Sequence, residues 1–97
     1  MNKIYSMFGL ARRGGKISIG FDATCNEIAK GKSKLVLMAQ DASEKTKKNI
    51  LYECDKYNCK YIEYGEKELI GQCLGKKAVS VISISDENMV SYILKNI

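Results

Sequence analysis

Apolar residues recur along the chain with helical spacing in some stretches and as short continuous runs in others. Ile4, Met7, Phe8 and Ala11 fit one face of a helix, and Gly14-Gly15 end that run. Residues 16–19 predict a short strand. Phe21, Cys25, Ile28 and Ala29 repeat at i, i+4, i+7 and i+8, the apolar stripe of a second helix, which Gly31 terminates. Residues 35–39 are continuously apolar, as expected of a strand covered on both faces. Asp41 followed by Glu44 predicts a capping pair for a third helix through Ile50, Leu51, Cys54 and Tyr57. Residues 61–64 read as a strand, Leu69, Ile70, Cys73 and Leu74 as a short helix stopped by Gly75, and residues 79–84 as another strand. Asp86 predicts the cap of a last helix buried through Met89, Val90, Ile93, Leu94 and Ile97. Helices alternating with short strands imply a layered α/β domain with helices on both faces of a small sheet.

Ninety-seven residues suit one domain over positions 1–97, and 45% hydrophobic with 28% charged residues belongs to a globular chain rather than a disordered one. The longest apolar stretch, residues 35–39, is far short of the ~20 residues a membrane helix needs. Positions 1–16 offer no secretory core, so a cytoplasmic protein without a membrane partner is expected. Cys25, Cys54, Cys59 and Cys73 form no C-x-x-C pair, and the chain has no histidine. Three of them fall at apolar helical positions. They read as reduced structural thiols in preference to a disulfide or a metal site. Tyr52, Tyr57, Tyr61 and Tyr64 read as core or rim packing in preference to base stacking, and Lys45, Lys47 and Lys48 as a solvated helix face.

Charge changes the picture. The net charge is +5, and residues 1–35 carry seven cations against only Asp22 and Glu27, whereas residues 36–97 balance at nine of each sign. Such asymmetry favours a polyanionic partner. On the second helix the apolar stripe leaves Asp22, Asn26 and Lys30 on the opposite face. Gly20 just before it lets another backbone approach the first amides, and unpaired N–H groups there attract phosphate. Arg12, Arg13 and Lys16 lie immediately upstream and are expected to flank this site. Asn and Asp can read base edges while Lys and Arg neutralise phosphates. The competing readings are a solvated helix face for the polar stripe and a helix C-cap for the Arg12–Lys16 segment. Enzymatic machinery is not nominated: there is no histidine to serve as a base, no phosphate-binding loop and no nucleophile elbow.

The run G-x10-GKSKLVLMAQDAS, from Gly20 to Ser43, resembles the kink-turn-binding ribosomal proteins of the L-seven-Ae and L-thirty-e group, and most of all their small bacterial homologues. The likeness extends through positions 46–50, 69–75 and 79–86, nearly the whole chain. It implies a three-layer α-β-α sandwich with a small mixed four-stranded sheet. It also implies binding of structured RNA, without catalysis or cofactor, in a ribosome or translation context. Family members that grip kink-turns show G-x-N-E-x-x-K or G-x-K-Q-x-x-K at the second helix. Here Asp22, Ala23 and Asn26 stand at the three polar positions after Gly20 and Phe21. The segment from Gly75 to Ala78, with Lys76 and Lys77, matches the family's second RNA-contact loop. An RNA-binding site of Arg12, Arg13, Lys16, Gly20, Phe21, Asp22, Asn26, Lys30, Lys76 and Lys77 is therefore expected. The alternative is a module of the same fold that meets ribosome-associated proteins instead.

Overall fold

The computed structural model describes residues 3–97. In chain order it runs α1 (Lys3–Arg13), β1 (Ile17–Ile19), α2 (Phe21–Ala29), β2 (Leu35–Met38), α3 (Glu44–Lys56), β3 (Tyr61–Glu63), α4 (Lys67–Cys73), β4 (Val81–Ile84) and α5 (Glu87–Lys95). The strands form one sheet in the order β1-β4-β2-β3. β2 and β3 are parallel, whereas β4 runs antiparallel to both β1 and β2, so the sheet is mixed.

β2 explains the layering. All four of its side chains are buried, and successive ones point to opposite faces of the pleat. Leu35 and Leu37, with Ile82 and Ile84 of β4, meet Ile4 and Phe8 of α1, Ile70 and Leu74 at the end of α4, and Val90 and Ile93 of α5. Val36 and Met38, with Val81, meet Ile28 of α2 and Ile50 and Cys54 of α3. Three helices therefore cover one face and two cover the other, the expected α-β-α sandwich. Each fully buried Leu or Ile contributes about 1.5–3 kcal/mol relative to an exposed one.

The helix ends are set by left-handed residues. Gly15, Gly31 and Gly75 have φ of 72°, 73° and 70°, and Asn58 takes the same role after α3 at 56°. At Gly31 the pairing is that of a Schellman motif: the Gly31 N–H donates to Ile28 C=O and the Lys32 N–H to Glu27 C=O. At the N-terminus of α3 the structure corrects the expected cap. Ser43, not Asp41, is the N-cap, its Oγ accepting from the Thr46 N–H at 3.1 Å. Asp41 instead accepts from the Lys67 N–H at 2.9 Å, tying the end of β2 to the first residue of α4.

Three further expectations change. Lys47 is not a free solvated cation: its Nζ donates to Gln40 C=O at 2.7 Å and pairs with Glu63 at 3.0 Å, lacing α3 to the ends of β2 and β3. Tyr64 packs against the core and on Tyr5, but Tyr52 stands 63% exposed. α5 ends at Lys95 and leaves Leu94 and Ile97 exposed, while its Val90, Ile93 and, in part, Met89 pack on the core.

Cys54 is fully buried, and burial, followed by the neighbouring Cys59, pushes its thiol up to about 12 from 9.0. The folded state therefore favours the neutral thiol. That contribution is complete below pH 9 and erodes as pH rises from about 9 towards 12, where the unfolded chain binds fewer protons. Alkaline unfolding of Cys54→Ala, followed by circular dichroism, is expected to show a shallower loss of stability over this interval than the parent chain. In native protein at pH 8, Cys54 is expected to resist iodoacetamide until the chain unfolds.

Candidate nucleic-acid interface

The antiparallel register of β1 and β4 gives the sheet two distinct poles. Ile19 lies opposite Ile82 and Ile17 opposite Ile84. Gly20 consequently stands beside Val81, its N–H donating to Val81 C=O at 2.9 Å, while Lys16 stands beside Ser85, whose N–H donates to Lys16 C=O at 3.0 Å. The three residues of β1 separate Lys16 from Gly20, four steps or about 13 Å along the strand.

At the Gly20 pole the chain turns directly from β1 into α2. Gly20 has φ 98° and ψ 170°, a backbone conformation that side-chain-bearing residues avoid. No side chain caps the helix, and its first helical bond is made by the Thr24 N–H to Gly20 C=O. The amides of Phe21, Asp22 and Ala23 are thus the helix-start donors left facing outward. Asp22 in the first turn also suits the helix dipole, a structural role it fills whatever the partner.

The loop after α4 comes to the same place. Its Lys76 N–H donates back to Gly71 C=O at 2.8 Å, and its Val79 N–H donates to Lys67 C=O at 2.9 Å. Gly71 permits this, since a Cβ there would lie 2.9 Å from the Ala78 backbone. Ala78, Val79 and Ser80 then line a concavity of about 260 Å³ together with Gly20, Phe21 and Thr46. Phe21 is 39% exposed at its edge. Thr46 and Ser80 had no individual signal in the sequence. They reach the site through the Ser43 cap, which begins α3 here, and through the long-range pairing of β1 with β4.

The predicted residues divide. Gly20, Phe21 and the Ala78 end of the Lys76–Lys77 loop are brought together, and Asp22 and Asn26 are exposed along α2. Lys16 and Lys30 are not beside them. Lys16 is at the Ser85 end of β1, and Lys30 follows nine helical residues, about 13 Å further along. Arg12 is directed elsewhere: its Nη1 donates to Leu74 C=O at the C-cap of α4, packed over Gly75, where the absence of a Cβ leaves room. Arg13 closes α1 as an exposed residue of its last turn. Lys16 and Lys30 therefore do not flank the Gly20 entrance as expected. Lys16 and Lys30 are carried to the opposite end by a strand and a helix, whereas Arg12 packs at Leu74 and Gly75, at the start of the Lys76–Lys77 loop.

With this geometry in place, the chain is matched over residues 2–94 by the Ribosomal protein L7Ae/L30e/S12e/Gadd45 family. The chain belongs to that family. The RNA-binding protein YlxQ of Bacillus subtilis (strain 168) is 30% identical over 90 residues, covering 93% of this chain and 90% of that protein. The protein of the same name from Enterococcus faecium is 36% identical over 74 residues, covering 76% and 72%. Among solved structures, a protein of unknown function from Bacillus halodurans C superposes with a TM-score of 0.91 at 26% identity, covering 98% of this chain and 96% of that one. A Giardia lamblia 15.5kD RNA binding protein shares the fold, with a TM-score of 0.80 at 20% identity, covering 95% and 82%.

Gly20→Ala meets no steric obstacle, because nothing lies within 4 Å of the added Cβ, yet it forces alanine into the strained backbone region. A loss of about 1–3 kcal/mol is expected in urea unfolding. Arg12→Ala removes a charged donor from the α4 C-cap, and a loss of about 1 kcal/mol is expected by the same measurement.

Proposed function

We propose that the protein is a non-catalytic, cytoplasmic RNA-binding module that recognises structured RNA in a ribosome or translation context, with the Gly20 pole as its specific contact. The observation that carries this reading is the shared concavity in which an uncapped helix start and the Ala78 loop face one another. Family membership and relatives named as RNA-binding proteins support it. Gly20 and the amides after it would meet the sugar–phosphate backbone, and Phe21 would pack beside it. Asp22 and Asn26 would meet base edges or sugars, and Lys76 and Lys77 would neutralise phosphates. Arg12, Arg13, Lys16 and Lys30 would contribute to the wider field instead of to this contact.

Kink-turns are the proposed RNA class, with recognition weakened by the residues at the motif positions. Ala23 has no polar atom to read a guanine edge, and Asp22 adds a negative charge where the family carries Asn or Lys. The same two residues favour a second reading, a protein-binding module that kept the fold. Pull-down from lysate with and without nuclease separates the two, since partners lost on nuclease treatment belong to an RNA complex.

Titrating a kink-turn RNA and a plain duplex at several salt concentrations tests the main reading. Affinity is expected to fall with salt, with a log–log slope of about 0.9 per neutralised phosphate on duplex. Binding of neither RNA, or binding without a salt slope, would overturn it. Ala23→Glu combined with Asn26→Lys is expected to strengthen binding to the kink-turn selectively. Unchanged discrimination would show that these positions do not face the bases.

A further inference from the structure

The excess positive charge of the chain does not reside at the Gly20 pole. The segments that build that pole carry six lysines (Lys45, Lys47, Lys48, Lys67, Lys76 and Lys77) against six carboxylates (Asp22, Asp41, Glu44, Glu63, Glu66 and Glu68), which cancel. At the other end of the sheet three turns converge. The Lys34 N–H donates to Ile84 C=O at 2.8 Å, the Ser85 N–H to Lys16 C=O at 3.0 Å, and the Val36 N–H to Lys60 C=O at 2.9 Å. These bonds hold the α1–β1, α2–β2 and α3–β3 connections side by side, with Lys16, Lys30, Lys32, Lys34 and Lys60 all exposed on them. Lys56 closes α3 at the same end.

Five carboxylates lie near this pole against its six lysines, and three of the five are already engaged. Asp86 is turned onto the Met89 N–H as the cap of α5. Glu87 pairs with Lys34 at 3.9 Å while itself largely exposed, half-buried Glu27 in the last turn of α2 accepts from Ser18 Oγ at 3.4 Å, and Glu53 and Asp55 lie in the last turn of α3. Among the described residues, Lys16, Lys30, Lys32 and Lys60 make no ion pair or side-chain hydrogen bond. Helix-dipole compensation accounts for Lys30 and Lys56, but Lys32, Lys34 and Lys60 stand beyond ends whose carbonyls are already bonded by the turns at Gly31 and Asn58. A groove of about 440 Å³ opens between the turns, with Ser33, Lys34, Asn58, Lys60 and Ser91 offering polar groups along it and the Lys34-paired Glu87 at its wall.

We propose that this pole is a second RNA-backbone site. In it Lys16, Lys30, Lys32, Lys34 and Lys60 bind the phosphates of a duplex segment, and the groove between the α2–β2 and α3–β3 turns takes up sugar edges. Electrostatic complementarity identifies the occupant, since exposed lysines without carboxylate partners on adjoining turns suit phosphates and the contact requires no base reading. The proposal rests on RNA being the partner, and it separates affinity from recognition. The far pole holds the backbone, while the Gly20 pole discriminates.

The test compares the full chain with a far-pole variant, Lys32→Gln/Lys34→Gln/Lys60→Gln, and a charge-matched Gly20-pole variant, Lys45→Gln/Lys48→Gln/Lys76→Gln. Each is titrated with a kink-turn RNA carrying long duplex arms and with a plain duplex, at 50 and 200 mM salt. The far-pole variant is expected to flatten the log–log salt slope by up to about 2.7, so that the salt increase costs the parent chain about 40-fold more affinity than it costs the variant. The charge-matched variant is expected to change the slope by less than half as much. Photo-cross-linking of the parent chain to a 4-thiouridine-substituted duplex is expected to give adducts within residues 30–34 or 57–60. This readout stands even where a variant fails to fold. RNA binding by the parent chain with an unchanged slope in the far-pole variant overturns this proposal alone. So do equal slopes in the two variants, or adducts confined to residues 20–23 and 76–80. A parent chain that holds neither RNA overturns the RNA reading as well.

Discussion

The double burial of β2 is the constraint on which the rest of the molecule depends. Its four side chains alternate between two hydrophobic clusters, and its backbone is bonded to β3 on one side and β4 on the other. A shift of one residue would exchange the two faces and break both clusters together. The strand is therefore held in a single register, and with it the antiparallel path of β4. Because β4 in turn pairs with β1, the place of Gly20 beside Val81 is a consequence of how Leu35 and Val36 are packed.

That geometry gives the domain ends of different character. One combines a glycine-opened helix, a returning loop and a shallow hollow with balanced charge. The other gathers three turns on which Lys16, Lys30, Lys32 and Lys60 make no ion pair and Lys34 meets only Glu87. α2 joins the two along its exposed side, through Asp22 and Asn26 to Lys30. The first end opens onto the motif positions Asp22 and Ala23. The second follows from charges that are scattered among segments of the sequence and meet only in the folded chain.

Much of the fold was legible because the apolar periods are clean. The continuous run at residues 35–39 read as a covered strand, and the stripes ending at Gly15, Gly31 and Gly75 as short helices. Local chemistry was less decisive where two residues were equally able to act. Asp41 and Ser43 can both cap, and the choice fell to Ser43 because Asp41 is engaged by Lys67, 26 positions away. Distance along the chain hid the rest. Arg12 finds its partner at Leu74, and Lys47 finds one at Glu63. The basic stretch before Gly20 looked contiguous with the site because adjacency in sequence does not record that a strand traverses the sheet.

The backbone angle at Gly20 has a consequence for comparing members of this family. Its φ of 98° is demanded by the turn from β1 into α2, and the turn is needed whether or not anything docks there. A descendant that abandoned nucleic acid altogether would still be obliged to keep a residue without a side chain at this corner. The glycine is thus a signature of architecture, and the diagnosis of ligand falls to its neighbours on the outer helical face.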